Sequence, residues 1–128
     1  MSKVLDDLKY ATTHEWAKLD GASVVSVGIS DFAQAQLGDV VFIELPVLGR
    51  NVKAGEACAV IESVKAASDI FSPVTGEIVE INTQLSDAPE MVNQDSYLHW
   101  LFKVKAVDVA ELEALLSADA YQSSTTSA

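Results

Sequence analysis

Short apolar segments, separated by glycine, proline and asparagine, dominate the middle of this 128-residue chain. Residues 23–29 are the clearest case, since β-branched and other apolar side chains at most positions are typical of a strand with limited solvent exposure. Strands this short, spaced by such turns, are typical of a sandwich or barrel. We therefore predict a mainly β fold, with further strands at 40–45, 57–61, 68–71, 77–81 and 98–104.

A helical pattern follows the strand at residues 23–29. Ser30 can cap a short helix at 31–37, because its side-chain oxygen can accept a hydrogen bond from a free amide of the first turn. Gly38 is suited to the conformation that ends a helix. We therefore predict a helix that begins after Ser30 and ends before Gly38.

The end of the chain has a second helical pattern. Apolar residues recur at helical spacing behind Asp108, which predicts a C-terminal helix at about 108–117. Serine and threonine dominate the residues after it, so a flexible tail is predicted at 121–128. The length fits one domain, which we expect over residues 1–120, with the β core at about 22–106.

A ten-residue pattern occurs twice, 27 residues apart. Both copies, at 43–52 and 70–79, read Ile-x-x-Pro-Val-x-Gly-x-x-Val. Lys65 lies between them, and it is the only Lys or Arg from Ala54 to Phe102, a stretch that holds eight carboxylates. A repeated strand-and-turn unit around one isolated amine indicates a quasi-symmetric β domain that presents this amine.

Lys65 is predicted at the tip of an antiparallel hairpin, because a short connection joins the strands at 57–61 and 68–71. Many lysines at such tips are simply solvated. The small neighbours Ser63 and Ala66 leave room for another protein to approach. The residues alone leave both interpretations open, an exposed turn residue or a presented functional amine.

Composition excludes several classes of function. The formal charge of −11 and the pI of about 4.3 argue against nucleic acid or anionic membrane as a partner, because phosphate-binding surfaces need clustered Lys and Arg. The first residues have no signal or transit character, so we expect a cytoplasmic protein, or a mitochondrial matrix protein if this is a mature organelle form. Cys58, the single cysteine, lies in an apolar run and is predicted to be buried. One cysteine and two histidines do not form a zinc-ligand pattern, so we predict no zinc site.

Several motifs occur in a fixed order. Residues 62–69 read Glu-Ser-Val-Lys-Ala-Ala-Ser-Asp, and residues 73–79 read Pro-Val-Thr-Gly-Glu-Ile-Val. His-Glu-Trp stands at 14–16, Leu-Gly-Asp-Val-Val-Phe at 37–42, and Trp-Leu-Phe-Lys-Val-Lys at 100–105. In order and spacing, this set resembles the glycine cleavage system H-protein family over most of the chain.

The resemblance implies both a fold and a carrier function. The fold would be a barrel-sandwich hybrid of two antiparallel sheets, of the lipoyl-domain type, with short flanking helices and a C-terminal helix. The protein would be a carrier and not an enzyme, with lipoate joined by an amide to Lys65, which takes the formal charge from −11 to −12. We expect a monomer without bound metal.

The implied partners follow the family's cycle. A pyridoxal-phosphate glycine decarboxylase passes the aminomethyl group of glycine to the lipoyl disulfide. A folate-dependent aminomethyltransferase then takes the one-carbon unit, and dihydrolipoyl dehydrogenase reoxidises the dithiol. A lipoyl-attaching enzyme is the fourth implied partner.

The resemblance also implies residues that shelter the carried amine. That amine is cationic at neutral pH and labile in water, so burying it requires an anionic or acceptor partner. Glu15 and Asp69 match acidic family positions near the cleft where the loaded arm rests, and Thr13 could add a hydroxyl. Without the resemblance, Glu15 could equally be a solvated carboxylate at a strand end, whereas this is less favoured for Asp69, which lies only four residues from Lys65. No catalytic residue is expected.

Alternative functions remain open at this point. One is an H-protein-like carrier that relays lipoyl groups to other enzymes, and another is a noncatalytic acidic adaptor of the same fold. A biotin carrier is less favoured, since that family has methionines beside its lysine, where this chain has Val64 and Ala66. The adaptor hypothesis predicts that Lys65→Arg leaves function unchanged, whereas both lipoyl carriers need the amine.

Overall fold

A computed structural model describes residues 4–126. Within that range the strands form two antiparallel sheets, so the predicted mainly β fold of two antiparallel sheets is confirmed. In chain order, the strands are β1 Lys9–Tyr10, β2 Glu15–Asp20, β3 Val24–Ile29, β4 Val40–Glu44, β5 Asn51–Val52, β6 Ala57–Ser63, β7 Ala67–Phe71, β8 Gly76–Ile81 and β9 Phe102–Ala106. The larger sheet has the order β1-β2-β3-β9-β8-β5, and the smaller has the order β4-β6-β7.

The two copies of the sequence repeat cross between the sheets in the same way. Each copy begins in the smaller sheet, in β4 or β7, turns at its proline and glycine, and enters the larger sheet in β5 or β8. The two copies then meet, because Asn51 pairs with Glu77 and Val52 with Gly76. The quasi-symmetry expected from the repeat is therefore present in the backbone.

One apolar core lies between the two sheets. Val27, Ile78 and Phe102 from the larger sheet belong to the same buried cluster as Ile43 and Ile61 from the smaller one. Strands with one face on this cluster alternate between buried and exposed residues, which fixes their register, since a shift by one residue would turn apolar side chains outward. The core therefore holds the hairpin of β6 and β7 in a defined position.

The helix predicted after Ser30 is confirmed as α1, Asp31–Leu37. The Ser30 side chain accepts a hydrogen bond from the Ala33 amide, and Gly38 ends the helix with a φ of 76°. Two further short helices, α2 Gln84–Asp87 and α3 Met91–Gln94, occupy the long connection between β8 and β9.

The predicted C-terminal helix at 108–117 is corrected by the structure. Asp108 does cap the segment, by accepting from the Ala110 amide, but the segment is a short 3-10 helix, Val109–Ala114. The chain then becomes extended because Leu116 exchanges two backbone hydrogen bonds with Tyr10, at 2.8 and 2.9 Å. Pairing with β1 therefore ends the helix early.

The predicted flexible tail at 121–128 is also corrected where the structure describes it. Residues Ala118–Thr126 form helix α4, and residues 127–128 lie outside the described range. Tyr121 anchors α4, because its ring stacks on Tyr10 with centroids 4.4 Å apart. A single buried aromatic side chain thus orders a segment whose composition alone indicated disorder.

The last predicted strand is shifted. The prediction placed it at 98–104, whereas β9 is Phe102–Ala106. Leu98 is exposed, and its amide donates to the Asp95 carboxylate in an Asx-type turn, so the chain enters the sheet only after Leu101.

Candidate functional site

Lys65 lies at the tip of the β6–β7 hairpin, as predicted. Ser63 holds the turn, since its hydroxyl accepts from the amides of Lys65 and Ala66, both at 3.2 Å, and donates to the Ala66 carbonyl. The Val64 amide donates to the Asp39 carbonyl at 3.0 Å, which fixes the turn to the start of β4. The Lys65 side chain is exposed and forms no ion pair with any carboxylate of the described residues. A well-held backbone therefore presents an unengaged amine.

Gly38 leaves space for the Lys65 side chain. A Cβ at position 38 would lie 3.2 Å from the Cε of Lys65, and the positive φ there also disfavours any residue with a side chain. Gly38 therefore ends α1 and also lets the lysine pass close to the backbone.

A narrow cleft of about 140 Å³ lies beside this position, between α1 and β7. Leu37, which precedes Gly38, is in its wall, and so is Ser68, three residues after Lys65. The narrow cleft is mostly apolar, and the full lining set is Thr13, His14, Ile29, Phe32, Ala33, Gln36, Leu37, Ser68 and Ile70. Its shape and lining suit an extended aliphatic chain.

A wide cleft of about 400 Å³ adjoins the narrow one, and Thr13 lines both. The described lining of the wide cleft includes Glu15 and Glu111 but no Lys or Arg. Its remaining lining residues are Tyr10, Ala11, Thr12, Ala54, Gly55, Phe71, Ser72, Pro73, Ala114, Leu115 and Leu116. The two clefts share Thr13, so the narrow cleft near the Lys65 turn lies next to the wide cleft that contains the buried carboxylate.

Glu15 is that buried carboxylate, with 1% of its surface exposed. One oxygen accepts from the Thr13 hydroxyl and the other from the Phe71 amide at 3.1 Å. Burial raises the pKa of Glu15 above its usual range, and the hydrogen bonds from Thr13 and Phe71 oppose that rise only in part. No Lys or Arg of the described residues forms an ion pair with it. A cation that entered the wide cleft would therefore relieve a desolvated negative charge.

The backbone at His14 places Thr13 and Glu15. His14 has a φ of 80°, and its ring nitrogen Nδ1 lies 2.7 Å from the Tyr121 hydroxyl. This left-handed turn is unusual for a residue with a side chain and is stabilised by the contacts around it. Because the chain reverses at His14, the Thr13 hydroxyl reaches the Glu15 carboxylate.

The predicted site residues do not all meet at one place. Thr13 and Glu15 are in hydrogen-bond contact, whereas Lys65 lies outside both clefts, three residues before Ser68 in the wall of the narrow cleft. Asp69 is exposed on β7, where Ser68 and Ile70 line the narrow cleft and Asp69 lines neither cleft. The structure thus brings together Glu15 and Thr13 and leaves Asp69 at the surface near the hairpin.

Three groups in the site were missed from the sequence. The Phe71 amide lies at the free edge of the smaller sheet, and backbone donors have no signal in side-chain patterns. The apolar lining from α1, such as Phe32, could have been found from the helix pattern. Glu111 lies in the misassigned C-terminal segment, so nothing in the sequence placed it opposite Glu15.

Other reactive residues lie outside this chemistry. Burial raises the pKa of Cys58 to about 12, which keeps the thiol protonated, as its apolar sequence context indicated. Among residues 4–126, no group of three or more His, Cys, Asp or Glu side chains is arranged to hold a metal ion. Every helix in that same range is too short or too polar to cross a bilayer.

A family model described as "Glycine cleavage H-protein" matches residues 8–128. The chain belongs to the glycine cleavage H-protein family. Its membership makes the protein a carrier component of the glycine cleavage system and not one of the catalysts. Members of this family generally bear lipoate and work with the enzymes of that system.

Two relatives and one solved structure show how close the similarity is. A glycine cleavage system H protein from Azoarcus sp. (strain BH72) is 56% identical over 121 residues, which cover 94% of this chain and 95% of the relative. The H protein of Methylococcus capsulatus (strain ATCC 33009 / NCIMB 11132 / Bath) is 57% identical over 122 residues, or 95% and 96% of the two chains. A crystal structure of the H protein from Mycobacterium marinum superposes with a TM-score of 0.87 at 39% identity, over 96% of this chain and 99% of that one.

Proposed function

We propose that this H-protein carries lipoate in amide linkage on Lys65 and rests the loaded arm in the two clefts that lead to Glu15. The observation that carries the proposal is the order of an exposed amine, a mostly apolar cleft beside it, and an adjoining cleft with a buried carboxylate that has no ion-pair partner among the described residues. Local structure fits the attachment, since Gly38 and Ala66 leave room around the lysine. The disulfide of attached lipoate would supply an acceptor for the aminomethyl group of glycine and, once opened, a dithiol for reoxidation.

The protein residues hold the carried group and exclude water from it. Glu15 and Thr13 offer oxygen acceptors to a primary ammonium at the end of the arm, and hydrogen bonds to a charged donor are stronger than neutral ones. The narrow cleft covers the aliphatic part with Leu37 and Ile70. Asp69 is proposed to attract the ammonium as the arm enters or leaves, because it lies at the surface four residues from Lys65.

The proposed partners are the three enzymes of the cycle and the enzyme that attaches lipoate. A pyridoxal-phosphate decarboxylase loads the carrier, a folate-dependent aminomethyltransferase unloads it, and dihydrolipoyl dehydrogenase restores the disulfide. A tether keeps the carried group at high effective concentration near each partner. We propose that the protein works as a monomer in the bacterial cytoplasm, in line with the bacterial sources of its relatives.

The proposal is tested with Lys65→Arg, compared with Lys53→Arg as a matched change at another exposed turn lysine. After co-expression with a lipoyl-attaching enzyme, intact mass and peptide mapping should show one lipoyl group on the wild type and on Lys53→Arg, and none on Lys65→Arg. Glycine cleavage reconstituted with the partner enzymes should fall to the background level only for Lys65→Arg. Full activity of Lys65→Arg, or lipoate mapped to another lysine, would show that the proposed site is wrong.

A further inference from the structure

The wide cleft has an outer wall made of three separate chain segments. One is the loop with Ala54 and Gly55, the second is the β7–β8 turn with Ser72 and Pro73, and the third is the C-terminal segment, from which Glu111 lines the cleft. The inner wall, which contains Glu15, comes from the start of the chain. The enclosure of Glu15 therefore depends on how these segments are joined.

Two of the segments are joined by the backbone alone. The Gly55 amide donates to the Ser72 carbonyl at 2.7 Å, and the Ser72 amide donates to the Glu56 carbonyl at 2.9 Å. The loop and the turn are thus one unit even without their side chains.

The C-terminal segment is joined to this unit at Thr75. The Thr75 amide donates to one oxygen of Glu111 at 2.7 Å, and its hydroxyl donates to the other at 3.0 Å. The same hydroxyl accepts from the Ala54 amide at 3.0 Å, while the Thr75 carbonyl accepts from the Val107 amide. Thr75 therefore contacts all three segments, and Glu111 is the side chain that completes the connection.

We propose that Glu111 is a positioning residue for the carrier reaction, which acts through Thr75 to hold the outer wall of the wide cleft closed over Glu15. The inference rests on the proposed function, because closure matters only if the loaded arm rests in that cleft. A carboxylate that accepts two hydrogen bonds from one residue fixes both the distance and the angle between the 3-10 helix and the turn. Water access to the carried amine is then limited by this contact.

Glu111 also completes the charge of the cleft. Each of its oxygens accepts one hydrogen bond from Thr75, and a carboxylate oxygen can accept a second. With Glu15 on the inner wall and no basic lining residue among those described, the closed cleft favours an ammonium over an anionic or neutral group. The contact between Glu111 and Thr75 therefore limits water access to the carried ammonium group and also contributes to selectivity for a cation.

The first test uses hydrogen exchange of the full-length protein without lipoate. We compare Glu111→Ala with Glu113→Ala, which removes an exposed carboxylate from the same 3-10 helix. The informative amides are Ala54 and Phe71, because neither donates to Glu111. We expect exchange at both to become about tenfold faster in Glu111→Ala, the effect of losing a charge-assisted hydrogen bond, and to stay within about twofold of the wild type in Glu113→Ala.

The second test measures how fast the loaded carrier releases ammonia and formaldehyde to water. Hydrolysis consumes one water and leaves the dithiol, so the products can be counted against free thiols. We expect about a tenfold faster release for Glu111→Ala, which removes both hydrogen bonds, and a smaller increase for Thr75→Val, which removes the hydroxyl but keeps the amide that donates to Glu111. Thr75→Ser keeps the hydroxyl and should restore the wild-type rate.

The outcomes separate this inference from the proposed function. If Glu15→Gln speeds release but Glu111→Ala and Thr75→Val do not, the proposed positioning role of Glu111 is wrong and the proposed function stands. If no lipoate attaches to Lys65, the proposed function fails. Unchanged hydrogen exchange at Ala54 and Phe71 in Glu111→Ala would independently overturn the positioning role of Glu111. Should Glu111→Ala fail to fold, the comparison of Thr75→Val with Thr75→Ser decides the question alone.

Discussion

The two copies of the repeat have the same sequence pattern and backbone path but opposite surroundings. Val47, in the turn of the first copy, is 70% exposed, whereas its counterpart Val74 is fully buried. Nothing in the pattern distinguishes them, because both follow a proline and precede a glycine by two residues. The C-terminal segment contacts the second turn, where Glu111 accepts two hydrogen bonds from Thr75, and among the described residues it forms no hydrogen bond with the first turn.

The wide cleft lies beside only one of the two copies of the repeat, although their backbones follow the same path. The second turn supplies Ser72 and Pro73 to the wide cleft, and the C-terminal segment supplies Glu111 and Leu115. The first, open turn contributes to neither of the two clefts. The C-terminal segment and the start of the chain thus form the wide cleft against the second copy of the repeat and not against the first.

The largest expected effect is a difference in the free energy of unfolding between alanine substitutions at the two glycines that end the turns, Gly76 and Gly49. A Cβ at Gly76 would lie 2.1 Å from the Lys105 carbonyl oxygen, so Gly76→Ala must displace β9 and should lower the free energy of unfolding by about 3 kcal/mol or more. A Cβ at Gly49 would meet no atom within 4 Å, but the φ there is 85°, so Gly49→Ala should cost about 1 kcal/mol. Urea denaturation measures both, and equal losses would contradict the asymmetry.

A smaller effect is expected for the valines. Val74→Ala opens a cavity in the core and should lower the free energy of unfolding by about 2 kcal/mol. Val47→Ala removes an exposed side chain and should change it by less than about 0.5 kcal/mol. Thermal or urea unfolding of both variants provides the check, and a large loss for Val47→Ala would mean that the open turn is covered in solution.

The smallest effect is a pH dependence of opposite sign at two carboxylates. Burial raises the pKa of Glu15 above 4.5, so its ionised form opposes folding, and stability present below that pH is lost as the pH rises through the folded value. Glu56, exposed near the open turn, has a lowered pKa because the Lys53 amide and then Arg50 donate to it, so its contribution is lost as the pH falls below 4.5.

Glu15→Gln should therefore gain stability relative to the wild type between pH 4 and pH 7, by about 1 kcal/mol or less. Glu56→Gln should lose stability relative to the wild type as the pH rises from the lowered folded pKa of Glu56 toward 4.5, with little further change above it. Urea denaturation at several pH values resolves the two slopes, and slopes of the same sign would refute the contrast in burial.

Local features of the fold could be predicted from the sequence, whereas contacts between distant segments could not. Helix α1 was found with its cap and end, because Ser30 and Gly38 act within the helix itself. The hairpin of Lys65 was found because both flanking strands are short and clearly bounded. The path of β1 and the end of the 3-10 helix depend on the pairing of Tyr10 with Leu116, which are more than 100 residues apart and carry no matching pattern.

In the candidate site too, local features could be predicted and contacts between distant segments could not. Lys65 could be identified because its attachment motif is contiguous, and the hairpin around it is local. The surroundings of Glu15 could not, because they include the Phe71 amide and residues of the C-terminal segment, which are distant along the chain. Asp69 was expected near the cleft from the resemblance and from its closeness to Lys65, but alternation along β7 turns it to the surface, so its role stays a prediction.

The stacked rings of Tyr10 and Tyr121 join the first strand of the chain to its last helix. Tyr121 also contacts His14 and Ser30 through its hydroxyl, so one side chain spans the early and late segments that meet beside the clefts. We expect segments connected in this way to open together, as one cooperative unit. Strand β1, the turn at His14 and helix α4 are therefore expected to show matched protection in hydrogen exchange.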